Sequence, residues 1–326
     1  MNSKITISLF LISLITISNL LSQAKKEAFK SELKVIVDND IFAVFRDSDR
    51  YYSYGMGIEY SFNTTKFLGL QKLFKNKKDV FYSLGAKIEG YTPSLVRIFA
   101  ATPEIEDRDD FDRPFAGLLY VSLGTTYTFE RSFLKSEILT GIIGPSSQAG
   151  EIQTWFHENI TDDPVYDGWQ FQLEDQFIFN LKSSFTYDLH PNSKWFSTYV
   201  GGNAYLGNLY IRATPQAGFR IGEFESITKS SSFQNSLLLP KKHSELFFQF
   251  NAETRFIAYN ATIQGNLFDE KAYGIDDLNN ISWHLRSGLY YSLNKISINF
   301  IYHWSTGVLN STENHGYGTF NIAYRF

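Results

Sequence analysis

The chain has 326 residues, with 30 Phe, 20 Tyr, no Cys and a formal net charge of -4. Its mean hydropathy is only -0.21 although 17% of the residues are aromatic, so apolar positions are interleaved with polar ones rather than pooled. The mildly acidic balance speaks against nucleic-acid binding. The lack of cysteine excludes disulfides, thiolate chemistry and a cysteine-linked lipid anchor.

Residues 1–24 read as a signal peptide. Lys4 supplies a basic start, residues 5–21 form an apolar run, and Ser22-Gln23-Ala24 place small residues at the two positions a signal peptidase reads. The run is short for a spanning helix, which needs about 20 apolar residues; a membrane anchor is the alternative reading. Cleavage removes only Lys4 among the charged residues, leaving 29 basic against 34 acidic side chains. Export without disulfides suits the outer membrane of a Gram-negative bacterium.

Residues 25–326 are expected to form one unit, an all-β, antiparallel transmembrane barrel of the outer-membrane type. Twelve strand-like segments follow one another at about 33–43, 52–62, 79–90, 115–129, 134–144, 171–189, 196–207, 209–222, 244–259, 281–292, 295–305 and 316–326. An even number returns both chain ends to the periplasmic side. Alternation is clearest in the last segments. Phe320, Ile322, Tyr324 and Phe326 share one face, opposite Thr319, Asn321, Ala323 and Arg325. Lipid outside and a polar lumen inside account for that pattern. A soluble sandwich would have to leave these aromatic ladders in water. Strand parity puts the connections at 44–51, 91–114, 145–170, 260–280 and 306–315 on the extracellular rim. The turns at 130–133, 190–195 and 293–294 are periplasmic. Two further periplasmic connections, 63–78 and 223–243, are long for that side, and the alternation between 200 and 245 leaves the register open.

The extracellular connections carry the unusual polar residues: Asp38-Asn39-Asp40 with Asp49-Arg50-Tyr51-Tyr52-Ser53, Tyr91-Thr92-Pro93, Asp112-Arg113-Pro114, and Gly144-Pro145-Ser146 running on through Glu151 to His157. Asp and Asn are poor strand residues, so a solvated rim with tight turns is the bland explanation for any single segment. Several such segments on one rim point to a site. Of the six histidines, only His157 follows a Gly-Pro-Ser turn within a long outer connection. It is the candidate base, since imidazole accepts a proton from water near neutral pH. No Gly-x-Ser-x-Gly elbow, phosphate loop or His-Glu-x-x-His pair is present. What remains are hard oxygen ligands from Asp38, Asn39, Asp40, Glu151, Asp162 and Asp163, a set suited to Ca²⁺. Water activated by His157 and attacking an ester polarised by Ca²⁺ is a coherent chemistry, with Asn39 as a donor to the developing oxyanion.

At these residues the sequence resembles the outer-membrane lipid A 3′-O-deacylase family. The matching stretches are Asp38-Asn39-Asp40-Ile41-Phe42, Asp49-Arg50-Tyr51-Tyr52-Ser53-Tyr54-Gly55, Tyr91-Thr92-Pro93, Asp112-Arg113-Pro114-Phe115-Ala116-Gly117, Gly144-Pro145-Ser146-Ser147-Gln148-Ala149-Gly150-Glu151, His157 and Gly168-Trp169. The resemblance implies a twelve-stranded barrel that removes the 3′-linked acyloxyacyl group from lipid A of lipopolysaccharide, dependent on Ca²⁺. By the same resemblance His157 is the general base, Asp40 a metal ligand and Asn39 the neighbour of the reacting carbonyl. Ser53 stands where the family has Thr, which keeps the hydroxyl. A further carboxylate ligand is expected after His157, with Asp163 chosen over Asp162 and Glu158, and Glu151 added from the oxygen set. Arg97, after Tyr91-Thr92-Pro93, is the candidate contact to a lipid A phosphate, and Tyr91 is placed with it in substrate binding. The protein is expected to be a monomer in outer-membrane lipid. A passive channel or structural barrel, and a phospholipase, are the alternatives.

Overall fold

The structure is a computed structural model that describes residues 29–42, 51–94, 108, 111–161, 167–310 and 312–326, and only the backbone of Thr161 and Asp167. The expected signal segment 1–24 lies outside these residues, as do Asp49, Arg50, Arg97, Asp162 and Asp163.

Twelve antiparallel strands close into a barrel in sequence order, with β1 hydrogen-bonded to β12. They are β1 (Ser31–Asn39), β2 (Tyr51–Phe62), β3 (Asp79–Thr92), β4 (Ala116–Thr128), β5 (Ser132–Ile143), β6 (Gln176–Asp188), β7 (Phe196–Gly207), β8 (Tyr210–Glu223), β9 (Ser244–Asn260), β10 (Ile281–Leu293), β11 (Ile296–Ser305) and β12 (His315–Arg325). Closure leaves no unpaired edge, which is what a sheet needs to cross lipid. The alternation holds through the wall: Phe320, Ile322 and Tyr324 are exposed outward, whereas Thr319, Ala323 and Arg325 are buried inward. Pairing of β7 with β8, and of β8 with β9 across one register shift between Ile211 and Arg212, fixes the register of β7, β8 and β9. β1 is shorter than expected, because Asp40–Phe42 turn into a 3₁₀ helix. β6 also starts later, since Asp167–Phe171 form a 3₁₀ turn. His315, expected in a loop, opens β12.

Charge pairs line the lumen. Lys34 Nζ lies 2.6 Å from Glu59, Lys135 lies 3.4 Å from Glu137, and Lys182 lies 2.8 Å from Glu137. Two cavities of about 340 and 320 Å³ lie in the barrel and share Lys182, Tyr205, Arg212, Arg255 and Tyr317 in their linings.

The long periplasmic connection 224–243 folds back into the barrel mouth. Leu237 and Leu238 pack against Phe29 and Phe81, and the Phe233 ring meets Phe133 and Tyr199. Lys135 Nζ donates to Gln234 Oε1 at 2.7 Å, and Ser236 Oγ donates to Glu32 at 2.5 Å. Glu245 holds the backbone of the segment by accepting from the Glu225 and Ser231 amides and from Ser230 Oγ. Burying that many satisfied polar groups makes the segment part of the barrel's interior. It acts as a stopper. Replacing residues 226–239 with a short Gly-Ser turn is therefore expected to produce ion conductance in planar bilayers where the parent protein stays silent. Conductance by the parent would refute this reading.

Candidate active site on the outer wall

Alternation decides where each candidate points. In β1, Leu33 and Val35 face outward and Lys34 and Asp38 inward, so Asn39 stands on the outer wall at the strand end away from the chain termini. It pairs with Tyr54 of β2 and Gly318 of β12. The Asn39 Oδ1 accepts the Ile41 amide at 2.7 Å, a local bond typical of Asn at turns. Because the oxygen serves the turn, the Nδ2 end of the amide is left as a donor. Asp40 is buried in the 3₁₀ turn, against β2 and β12.

Ser53 owes its position to an irregularity. Tyr51 adopts a positive φ of 66°, and the β2–β3 register slips between Tyr52 and Tyr54. Ser53 is the extra residue of this bulge. Its hydroxyl is buried and shares a 2.5 Å hydrogen bond with Thr92 of β3.

His157 is carried by a short helix, α1 (Ala149–Phe156), which lies on the outside of β3 and β4. Gly144, Pro145–Ser147 and a left-handed Gln148 turn the chain onto the wall. Asp175 fastens this turn by accepting the Ser146 amide at 2.8 Å and its hydroxyl at 2.5 Å. The Tyr54 hydroxyl donates to the Ala149 carbonyl at 2.6 Å. Gly117 makes the close approach possible, since a Cβ there would overlap Ser147 Oγ and Ala149 Cβ. From above, Trp169 covers Gly150, donates to Gln153 Oε1 at 2.8 Å and packs with Phe111 and Phe115. His157 ends α1 as its C-cap, donates its own amide back to the helix, and is 5% exposed. The next residues, His157–Thr161, form a π-turn.

Asn39 on the outer side of β1 and the helix carrying His157 on the outer side of β3 and β4 thus lie on one face of the wall, with Ser53 buried in the bulge of the intervening β2. Glu151 is exposed in the first turn of α1. Tyr91 is elsewhere. It faces the lumen, where its hydroxyl donates to Glu89 at 2.7 Å and meets the Tyr210 hydroxyl at 3.2 Å. The Asp112-Arg113-Pro114 segment is scaffold. Asp112 accepts the Ser94 amide at 2.9 Å, and Arg113 reaches the carbonyls of Pro114, Tyr51 and Thr262. Burial lowers the Arg113 pKa from its ordinary value, while the Tyr91 hydroxyl and Asp112 nearby push it back up. The sequence reading missed Tyr54, Thr92, Gln153 and Trp169 as parts of the site. Tyr54, Thr92 and Trp169 lie inside the quoted motifs, but nothing in a linear pattern says that a tyrosine holds a helix.

Among the described residues no three His, Asp or Glu side chains gather into a metal cluster. Asp40 and its neighbours offer oxygen and no sulfur, which fits a hard cation such as Ca²⁺. Besides Asp40, oxygen donors could come from Glu151, backbone carbonyls, water or the stretch after Thr161.

The class defined by these features is an outer-membrane β-barrel with its polar site on the bilayer-facing wall. Residues 9–326 match the family described as "Outer membrane protein LpxR", and the chain belongs to that family. Among solved structures it is similar to LpxR from Salmonella typhimurium, with 19% identity, a TM-score of 0.72, and coverage of 90% of this chain and 100% of that one. The β domain of the Bordetella autotransporter BrkA (8% identity, TM-score 0.44, 92% of this chain and 99% of that one) is also similar, as is the translocator domain of NalP from Neisseria meningitidis (10%, 0.40, 99% and 98%). No curated protein shows significant similarity to the sequence.

Proposed function

We propose that the protein is an outer-membrane lipid A deacylase that hydrolyses the 3′-linked acyloxyacyl ester. The observation that supports this reading is the placement of Asn39 and of α1 with His157 on the outer face of the wall, in a chain of the LpxR family. A site for a soluble substrate would open to the lumen or the medium, whereas this one faces lipid at the rim. In the proposed reaction His157 takes a proton from water as the water adds to the ester carbonyl, and Asn39 Nδ2 donates to the oxygen on which charge develops. The tetrahedral centre then expels the sugar 3′-oxygen, which takes a proton, and releases the acyloxyacyl acid. Ser53, held by Thr92, supplies a fixed hydroxyl beside these groups. Ca²⁺, held by Asp40 with Asp163 and with Glu151 as a further oxygen donor, would polarise the ester carbonyl. Arg97 is assigned to a lipid A phosphate; Tyr91, expected with it, turns into the lumen and has no part in the proposed contact.

Mass spectrometry of lipid A from cells with and without the protein tests the reading directly, and unchanged spectra would count against it. Activity in detergent is expected to disappear with a chelator and to return with Ca²⁺ but poorly with Mg²⁺, which demands stricter geometry. Comparing lipid A with glycerophospholipid separates a deacylase from a phospholipase. The periplasmic stopper disfavours a passive channel.

A further inference from the structure

Asp38, the inward neighbour of Asn39, is among the most heavily bonded side chains of the site region. Its Oδ2 lies 2.7 Å from Lys87 Nζ and accepts the Tyr52 hydroxyl at 2.7 Å. Its Oδ1 accepts the Thr319 hydroxyl at 2.6 Å. Behind Thr319 the contacts continue across the lumen. His303 Nε2 is 3.0 Å from Thr319 Oγ1, His284 Nε2 is 3.2 Å from His303 Nδ1, and Arg255 Nη2 bonds His284 Nδ1. The two imidazoles are stacked at 5.2 Å, and Tyr317 stacks on His303 at 4.3 Å.

The two ends of this row fix its direction. Arginine has only donors, and an ionised carboxylate only accepts. If Thr319 gives its proton to Asp38, it must accept from His303 Nε2–H. His303 Nδ1 is then a lone pair that accepts from His284 Nε2–H, and His284 Nδ1 accepts from Arg255. Glu253 Oε2 lies 3.2 Å from the same His284 nitrogen and competes for a proton there. A proton on that nitrogen would point at the Arg255 guanidinium, however, and Glu253 Oε2 already faces the same guanidinium, 3.8 Å from Arg255 Nε. We propose that Arg255, His284, His303 and Thr319 form a one-way donor relay, with both histidines uncharged and protonated at Nε2. The relay makes Thr319 and His303 positioning residues for the Asn39–Asp40 corner, acting through Asp38. Aligned hydrogen bonds polarise one another, so loss of one link slackens the strand end that presents both site residues.

This inference rests on the proposed deacylase for its activity readout, and a second readout is independent of it. Thr319→Val keeps the shape of the side chain and breaks the relay. It is expected to lower kcat about tenfold with KM unchanged, an effect of slight misplacement rather than lost binding. Thr319→Ser restores the link and is expected to stay within about twofold. Heat-modifiable gel migration checks that each barrel is folded. Separately, ¹⁵N spectra of histidine-labelled parent protein, assigned with His284→Gln and His303→Gln, are expected to show two neutral Nε2–H rings. An imidazolium or an Nδ1–H ring at either position overturns the relay, as does full activity in Thr319→Val. A parent protein with the expected ¹⁵N pattern but no deacylation overturns the function and leaves the relay standing.

Discussion

His157→Ala is expected to reduce lipid A deacylation by about a thousandfold or more, the range in which a positioned general base contributes, equivalent to about 4 kcal/mol of barrel-borne transition-state stabilisation. The fold should be untouched. His157 caps the helix through its backbone, with the amide bonded to the Gln153 and Thr154 carbonyls, and alanine preserves that bond. Single-turnover assays with purified protein, alongside heat-modifiable migration, measure both halves of the expectation. Activity within tenfold of the parent would remove His157 from the chemistry and transfer the search for a base to the stretch after Thr161.

Gly117→Val is expected to cost ten- to a hundredfold in rate without touching any polar residue of the site, because an ångström of misplacement is enough for a loss of that size. The added side chain would strike Ser147 and Ala149, so α1 must lift from β4. Lifting it strains the Tyr54–Ala149 hydrogen bond and the Trp169 cover over Gly150. His157 moves with the helix. Leu119→Ala, two residues further along the same outward face and 39% exposed, is the control and should leave the rate unchanged. An unaltered rate in Gly117→Val would show that α1 tolerates displacement and that its seating on glycine has no catalytic weight.

Much of the barrel could be read from the chain because alternation is a local property repeated twelve times. The last strands, with Phe320, Ile322 and Tyr324 opposite Thr319 and Arg325, needed no tertiary knowledge. The ends of β1 and β6 were misjudged where polar turns replace pairing. Asp40–Phe42 and Asp167–Phe171 carry aromatic residues that resemble a strand's apolar positions, yet form 3₁₀ turns. The helix bearing His157 was not foreseen. Ala149, Ile152 and Phe156 stand at helical spacing, but eight residues are too few for that pattern to stand out among strands, and the close seating of the helix depends on the bare wall at Gly117. The connection 224–243 looked merely too long, because its apolar residues serve the inside of a mouth rather than a strand. Asn39, Asp40, Ser53 and His157 were legible as types of chemistry. That Tyr91 faces away from them, into the lumen, follows from its place two residues after Glu89 on the luminal side of β3.

The seating of α1 against the outside of the barrel also determines what a lipid must do to reach the site. Drawing an acyl chain of about a dozen carbons out of a bilayer costs on the order of 10 kcal/mol, at about 0.8 kcal/mol per methylene. A cleft in the lumen would impose that cost for each chain before any bond was made. On the proposed reading Asn39 faces the leaflet instead, with Ser53 buried in the neighbouring strand, so the hydrocarbon could stay dissolved in its own phase while the ester reaches the site from the side. Encounter then becomes a two-dimensional search within one monolayer, and packing of that monolayer, more than bulk concentration, sets how often enzyme and lipid meet.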